Sequence, residues 1–140
     1  MGGYKHIEAC VGEYIAKNYS CAVEIGIGRN TTAAEIVNAA GRLLLCTDVR
    51  DFPEPRKAGL PFATDDVFSP QLTHYRNPGV IYAIRPAIEV IPSLVHLAEA
   101  LDCDLVVYHL GFETYGNGGE VIDCGVLLHR YRAATGRKNN

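Results

Sequence analysis

The sequence has no Cys-x-x-Cys pair, no long apolar run and no large excess of either charge. Its five cysteines (Cys10, Cys21, Cys46, Cys103 and Cys124) are odd in number and scattered. That spacing argues against a zinc site and against a disulfide framework. Free, mostly buried thiols in a reducing compartment are the expectation. No stretch approaches the roughly 18 apolar residues of a membrane span. The opening Met1-Gly2-Gly3-Tyr4-Lys5-His6 has no apolar signal core, so the cytoplasm is the expected compartment. A net charge of −3 gives bulk electrostatics no hold on nucleic acid. Tyr75, Arg76, Arg130, Tyr131 and Arg132 read as a solvated edge, the alternative being a small nucleic acid patch. His6, His74, His96, His109 and His129 show no metal-ligand spacing and read as surface or satisfied histidines. There is no Gly-x-Ser-x-Gly elbow, no phosphate-binding lysine loop, no internal repeat and no low-complexity segment.

What is present describes an ordinary globular domain. At 140 residues, 48% hydrophobic and 21% charged, the chain reads as one domain over 1–140, large enough to bury a core without staples. Residues 6–19 have the apolar stripe of an amphipathic helix: Ile7, Cys10, Val11, Tyr14 and Ile15. A first strand with its turn is predicted over about 21–28, then a helix over about 32–40 that stops at Gly41. A buried strand over 42–48 ends at Asp48. The proline-bearing stretch 51–61 reads as a loop. Phe62-Ala63-Thr64 reads as a short strand and Ser69-Pro70 as the start of a short helix. Strands over 80–84 and 104–108 flank a turn at 86–90 and a helix beginning near Pro92. Gly116–Gly119 is a turn, and residues 120–131 read as one last strand, antiparallel because no helix precedes it. A polar tail from Ala133 is expected to fray. The sum is an α/β fold: a minimal doubly wound, mostly parallel, Rossmann-like sheet.

The stretch Ala22-Val23-Glu24-Ile25-Gly26-Ile27-Gly28-Arg29-Asn30 organises the rest. A strand, a glycine turn and a helix in this order form the ligand-binding unit of doubly wound folds. Thr32-Ala33-Ala34-Glu35 fits a capping box that opens the helix. Thr31 stands where a dinucleotide fingerprint needs its third glycine. Glu24 would repel a pyrophosphate but attract a sulfonium or ammonium group. The pattern therefore favours S-adenosyl-L-methionine over a nicotinamide cofactor. Asp48, Asp65, Asp66 and Arg85 join Glu24, Gly26 and Gly28 at strand carboxyl ends, where such sheets bind ligands. An ionised Asp48 suits two adjacent ribose hydroxyls, or else forms an Asx turn. Asp65 with the Asp66 backbone suits an adenine edge, or else caps a turn.

The order Glu24-x-Gly26-x-Gly28, Asp48, Asp65-Asp66 resembles the cofactor half of class I SAM-dependent methyltransferases. Tyr14–Tyr19, Val23–Gly28, Thr47-Asp48, Asp65–Pro70 and Ile81-Tyr82-Ala83-Ile84-Arg85-Pro86-x-x-Glu89 together resemble a small archaeal family of uncharacterised, methyltransferase-like Rossmann proteins. The resemblance implies that Glu24 holds the amino group of the cofactor's methionine part and that Gly26 and Gly28 let backbone pass close to it. Asp48 would take the ribose, and Asp65 with the Asp66 backbone the adenine.

Many enzymes that methylate exocyclic amines carry Asp or Asn, Pro-Pro and an aromatic after the fourth strand. This chain has Ile84-Arg85-Pro86-Ala87-Ile88 there, which argues against that acceptor. Arg85 suits a carboxylate or phosphate, or an ion pair with Glu89 or a loop acid. Arg85 and Glu89 are thus the substrate-side candidates. Tyr108, Phe112 and Tyr115 line a pocket or pack at the sheet end. A chain this short leaves substrate recognition to the loops 51–61 and 111–119, to a partner, or to a second copy in a homodimer. The expected function is methyl transfer to an unknown acceptor; the alternative is a non-catalytic, adenosine-ligand-binding regulatory or assembly subunit.

Overall fold

The computed structural model describes residues 3–136. The chain runs α1 (Gly3–Asn18), β1 (Ala22–Ile25), α2 (Thr32–Ala39), β2 (Leu43–Asp48), α3 (Pro53–Lys57), β3 (Phe62–Thr64), β4 (Val80–Ile84), α4 (Ile91–Leu101), β5 (Asp104–Tyr108), β6 (Glu120–Asp123) and β7 (Leu127–Arg132). Single 3-10 turns lie at Leu72–His74 and Ile88–Val90. One seven-stranded sheet has the order β3-β2-β1-β4-β5-β7-β6. The pairs β2–β3, β1–β2, β1–β4 and β4–β5 are parallel. Strand β7 runs antiparallel to β5 and to β6.

Strand alternation sends side chains to two different helical layers. Val23, Ile25, Ile81, Ala83, Leu105 and Val107 pack with Ile91, Leu94, Leu97 and Ala98 of α4. Ala22, Val80, Tyr82 and Val106 face the other way, onto Val11 and Ile15 of α1 and Ala33 and Val37 of α2. Cover on both faces explains why β1 is buried at every residue, Glu24 included. The chain leaves β1 toward β2 on one side and later returns beside it as β4. The β1/β4 seam is therefore the switch point, where the carboxyl ends of such a sheet open a crevice.

Five local expectations change. The stretch 51–61 contains α3, because Pro53 and Pro55 fall in a first helical turn whose N–H groups have no partner within the helix anyway. The capping box at Thr32 does not form, since Thr32 is already helical. Instead Asn30 Oδ1 accepts the Thr32 N–H at 3.1 Å and Thr31 Oγ1 donates to Glu35 Oε2 at 2.5 Å. No helix starts at Ser69-Pro70; the Ser69 N–H closes a turn on the Asp66 carbonyl at 2.9 Å, and the 3-10 turn follows at Leu72–His74. The single strand expected over 120–131 is a hairpin. Asp123 Oδ1 accepts the Gly125 N–H at 3.0 Å, and Gly125 takes φ +104°, which folds β6 back onto β7. Finally, part of the expected tail is tied down. The Ala134 N–H reaches Asp104 Oδ1 at 2.8 Å, and the Thr135 N–H and Oγ1 reach Asp102 at 3.0 and 2.8 Å. Tail residues 137–140 lie outside the described residues.

Candidate functional site

The glycine turn after β1 is held against the end of β2. The Gly26 and Ile27 N–H groups donate to the Thr47 carbonyl at 2.8 and 3.0 Å. Gly26 has φ +74° and Gly28 φ +60°, which an L side chain rarely adopts. A Cβ built on either would meet no atom within 4 Å, so the space beside the turn is open. Asp48 ties the turn to its own strand: Oδ2 accepts the Gly28 N–H at 2.9 Å and Oδ1 the Arg50 N–H at 3.2 Å. The Asp65 N–H donates to the Asp48 carbonyl at 3.0 Å. The Asp65 carboxylate accepts the Gln71 N–H at 3.1 Å and the Tyr75 hydroxyl at 2.5 Å. Asp66 Oδ1 accepts the Phe68 N–H at 2.9 Å, capping its turn.

These strand ends enclose a cleft of about 330 Å³, a volume typical of small-molecule sites. Ile25, Gly26, Thr47, Asp48, Val49, Asp65, Asp66, Val67, Phe68 and the Ala83–Pro86 segment line it, with Val90 and Leu94 below. Val49 and Phe68 stand 65% and 62% exposed on its rim, two apolar side chains on either side of a mostly apolar opening.

Glu24 and Gly28 do not line the cleft. Ile25 points to the cleft side of the sheet, so Glu24, one residue earlier, points to the α1 side. There it is 2% exposed, and Tyr82 Oη donates to its Oε1 at 2.9 Å. Burial raises the Glu24 pKa to about 8, the Tyr82 hydrogen bond pulls it down, and the charge of Glu8 pushes it up. Glu24 therefore keeps its proton near neutral pH. Burial, helped by the nearby Glu24 charge, also pushes the neighbouring Cys46 thiol up to about 12.

Arg85 stands at the end of β4 with φ +55°. Its N–H donates to the Tyr108 carbonyl at 2.7 Å, and its guanidinium lies 5.5 Å from the Tyr108 ring centroid. The ion pair expected with Glu89 or a loop acid is made instead with Glu8 of α1: Nη1 to Oε2 at 2.8 Å and Nη2 to Oε1 at 3.4 Å. Glu89 is exposed on its 3-10 turn. Glu8 was not among the sequence candidates, yet it carried a signal. It sits three residues before Val11 and seven before Ile15, which places a carboxylate on the buried stripe of α1.

The histidines are not all surface or satisfied. His109, at the end of β5, is 3% exposed. Its Nε2 meets Tyr131 Oη at 2.5 Å, while Nδ1 has no hydrogen-bond partner among the described residues. The His129 ring packs 5.0 Å from it, edge to face. Among the described residues, no group of three His, Cys, Asp or Glu is placed to hold a metal. No described helix is long and apolar enough to cross a membrane.

A doubly wound sheet in this order, with a glycine turn and acids at the carboxyl ends of β2 and β3 around one cleft, defines a methyltransferase-like Rossmann protein. Two solved structures share the fold. The crystal structure of Streptomyces venezuelae DesVI superposes with a TM-score of 0.61 at 16% identity, over 86% of this chain and 60% of that one. The sugar N-methyltransferase KedS8 from a Streptoalloteichus species superposes at 0.53 and 14% identity, over 83% of this chain and 56% of that one. Within that class, the chain belongs to the family described as "Uncharacterised protein family (UPF0146)", which matches residues 9–119. A UPF0146 protein of Archaeoglobus fulgidus is 35% identical over 98 residues, covering 69% of this chain and 74% of the relative. One of Pyrococcus horikoshii is 33% identical over 112 residues, covering 78% and 86%.

Proposed function

We propose that this protein binds S-adenosylmethionine in the switch-point cleft and transfers its methyl group to an acceptor. The observation that carries the reading is the convergence of Gly26, Asp48, Asp65 and Asp66 on one cleft of about 330 Å³ at the β1/β4 seam. The open side of Gly26 leaves room for the amino acid end of the ligand. The Asp48 oxygens each accept one backbone N–H and keep a further lone pair for ribose hydroxyls. Val49 and Phe68 offer apolar faces to a purine. Asp65, bonded to Tyr75 and Gln71, holds the loop that brings the Asp66 backbone to the purine edge. Glu24 supports the turn from behind rather than touching the ligand. When bound, the cofactor supplies a methyl group made electrophilic by its sulfonium. The chain then has to align an acceptor with that methyl and keep water out, which alone accounts for much of the acceleration in such transfers.

Calorimetric titration with S-adenosylhomocysteine tests this, with NAD as control. Micromolar binding is expected, weakened at least tenfold in Asp48→Asn and lost in Asp48→Ala. Binding of NAD without S-adenosylhomocysteine would overturn it. A second reading, a non-catalytic adenosine-ligand subunit, is favoured by Ile84-Arg85-Pro86-Ala87-Ile88 standing where many amine-methylating enzymes carry their motif; the chain spans 60% and 56% of the two structural neighbours. Turnover separates the two, since a subunit would bind the ligand and never consume it.

A further inference from the structure

A methyl donor of this class has a nucleoside at one end and a charged amino acid at the other, and the switch-point cleft provides for the two ends unequally. Toward β2 and β3 it is lined by Asp48, Asp65 and Asp66, with Val49 and Phe68 on the rim. Toward β1 and β4 the lining is Ile25, Ala83, Ile84 and Pro86 beside Arg85. The N–H groups of the glycine turn are already engaged. Those of Gly26 and Ile27 both donate to the Thr47 carbonyl, at 2.8 and 3.0 Å, and that of Gly28 donates to Asp48 Oδ2 at 2.9 Å. A carboxylate or phosphate at such a turn is ordinarily held by those groups. Arg85 turns its guanidinium to Glu8, Nη1 to Oε2 at 2.8 Å, so a ligand carboxylate would compete for it with a buried one. Glu24 lies on the face opposite to Ile25 and Ala83. There it is 2% exposed, takes the Tyr82 hydroxyl on Oε1 at 2.9 Å and keeps its proton, so it offers an ammonium no charge. At about 330 Å³ the cleft also stands near the lower bound of small-molecule sites, about 300 Å³.

We infer that the cleft recognises only the nucleoside half of its ligand, so that 5′-thioethers of adenosine bind it whether or not an amino acid is attached to the sulfur. The inference rests on the placement of adenosine in the function proposed above. In both kinds of ligand Asp48 takes the ribose hydroxyls, and Val49 and Phe68 take the purine. An attached amino acid meets apolar side chains and an arginine held by Glu8. The engaged turn also denies a pyrophosphate its usual seat, which sets dinucleotides apart from adenosine thioethers. A thioether that has lost its amino acid therefore competes with the methyl donor for the same cleft.

Calorimetric titrations of the natural protein compare S-adenosylhomocysteine, 5′-methylthioadenosine and S-methylmethionine, the last carrying the charged end alone. 5′-Methylthioadenosine is expected to bind within threefold of S-adenosylhomocysteine, and S-methylmethionine to be silent. Asp48→Asn should weaken the two nucleosides by the same factor. Glu24→Gln, which keeps an oxygen for the Tyr82 hydroxyl, should leave S-adenosylhomocysteine unchanged. S-Adenosylhomocysteine should also give the same heat in phosphate and in Tris, because Glu24 keeps its proton. An ammonium held by an ionised Glu24 would instead favour S-adenosylhomocysteine at least tenfold. It would also release that proton on binding, and the heat would then depend on the buffer. A tenfold preference for S-adenosylhomocysteine, or proton release on its binding, overturns the inference and leaves the cofactor reading standing. Failure of both adenosine ligands to bind overturns the two together.

Discussion

Two carboxylates, Glu24 and Glu8, are buried between α1 and the sheet, and only Glu8 has a cation beside it. Glu24 has a hydroxyl from Tyr82, and its pKa of about 8 lies above the unfolded value. Between the two values the unfolded chain releases this proton while the folded chain keeps it, so stability falls as pH rises across that window and levels off above about 8. Each pH unit within it removes about 1.4 kcal/mol. Urea titrations from pH 5.5 to 8 should show this slope in the natural protein and a flatter one in Glu24→Gln; equal slopes would refute the assignment. Glu8 has Arg85, and the pair is 3% and 19% exposed. Arg85→Ala should lower stability by about 3 kcal/mol by stranding Glu8. Adding Glu8→Gln should recover part of that loss in the same denaturation measurement. At this scale the cleft acids were legible, because Asp48, Asp65 and Asp66 end apolar runs. The facing of Glu24 was not, because a strand buried on both sides has no polar alternation to show which way a residue points. Tyr82 was hidden for the same reason, inside an apolar strand.

Between elements, α1 packs closely on α2 at Gly12. A Cβ on Gly12 would lie 2.9 Å from the Ala33 carbonyl oxygen and 3.0 Å from its Cα. Both are backbone atoms that cannot rotate away. Gly12→Ala should therefore destabilise by about 1–3 kcal/mol despite its better helix propensity, and a urea midpoint measures it. The main strands and helices were legible from periodicity and apolar runs. The misread turns and helix starts share one cause: turn chemistry is decided by single side chains and by position within a turn. Pro53 and Pro55 mark a helix start as readily as a loop. Asp123 and Gly125 break what hydropathy alone presents as one strand.

For the whole molecule, the doubly wound architecture followed from strands alternating with helices. The strand order did not, because pairing between distant segments leaves no local pattern. If the switch-point cleft takes S-adenosylhomocysteine, then ligand at a hundredfold its Kd should add about 2.7 kcal/mol and raise the Tm by about 5–10 °C for a chain of this size. A thermal scan should show that shift in the natural protein and not in Asp48→Ala. The place of β7 sets the order in which the sheet is completed. It is made after β6 yet lies between β6 and β5. A chain emerging from the ribosome can assemble β3-β2-β1-β4-β5 while β6 has nothing to pair with. Until Arg132 has been synthesised, β5 is a bare edge bearing Leu105 and Val107. Co-translational folding thus has a vulnerable interval between the emergence of β5 and that of β7, in which a nascent chain exposes that edge to its neighbours on the same message.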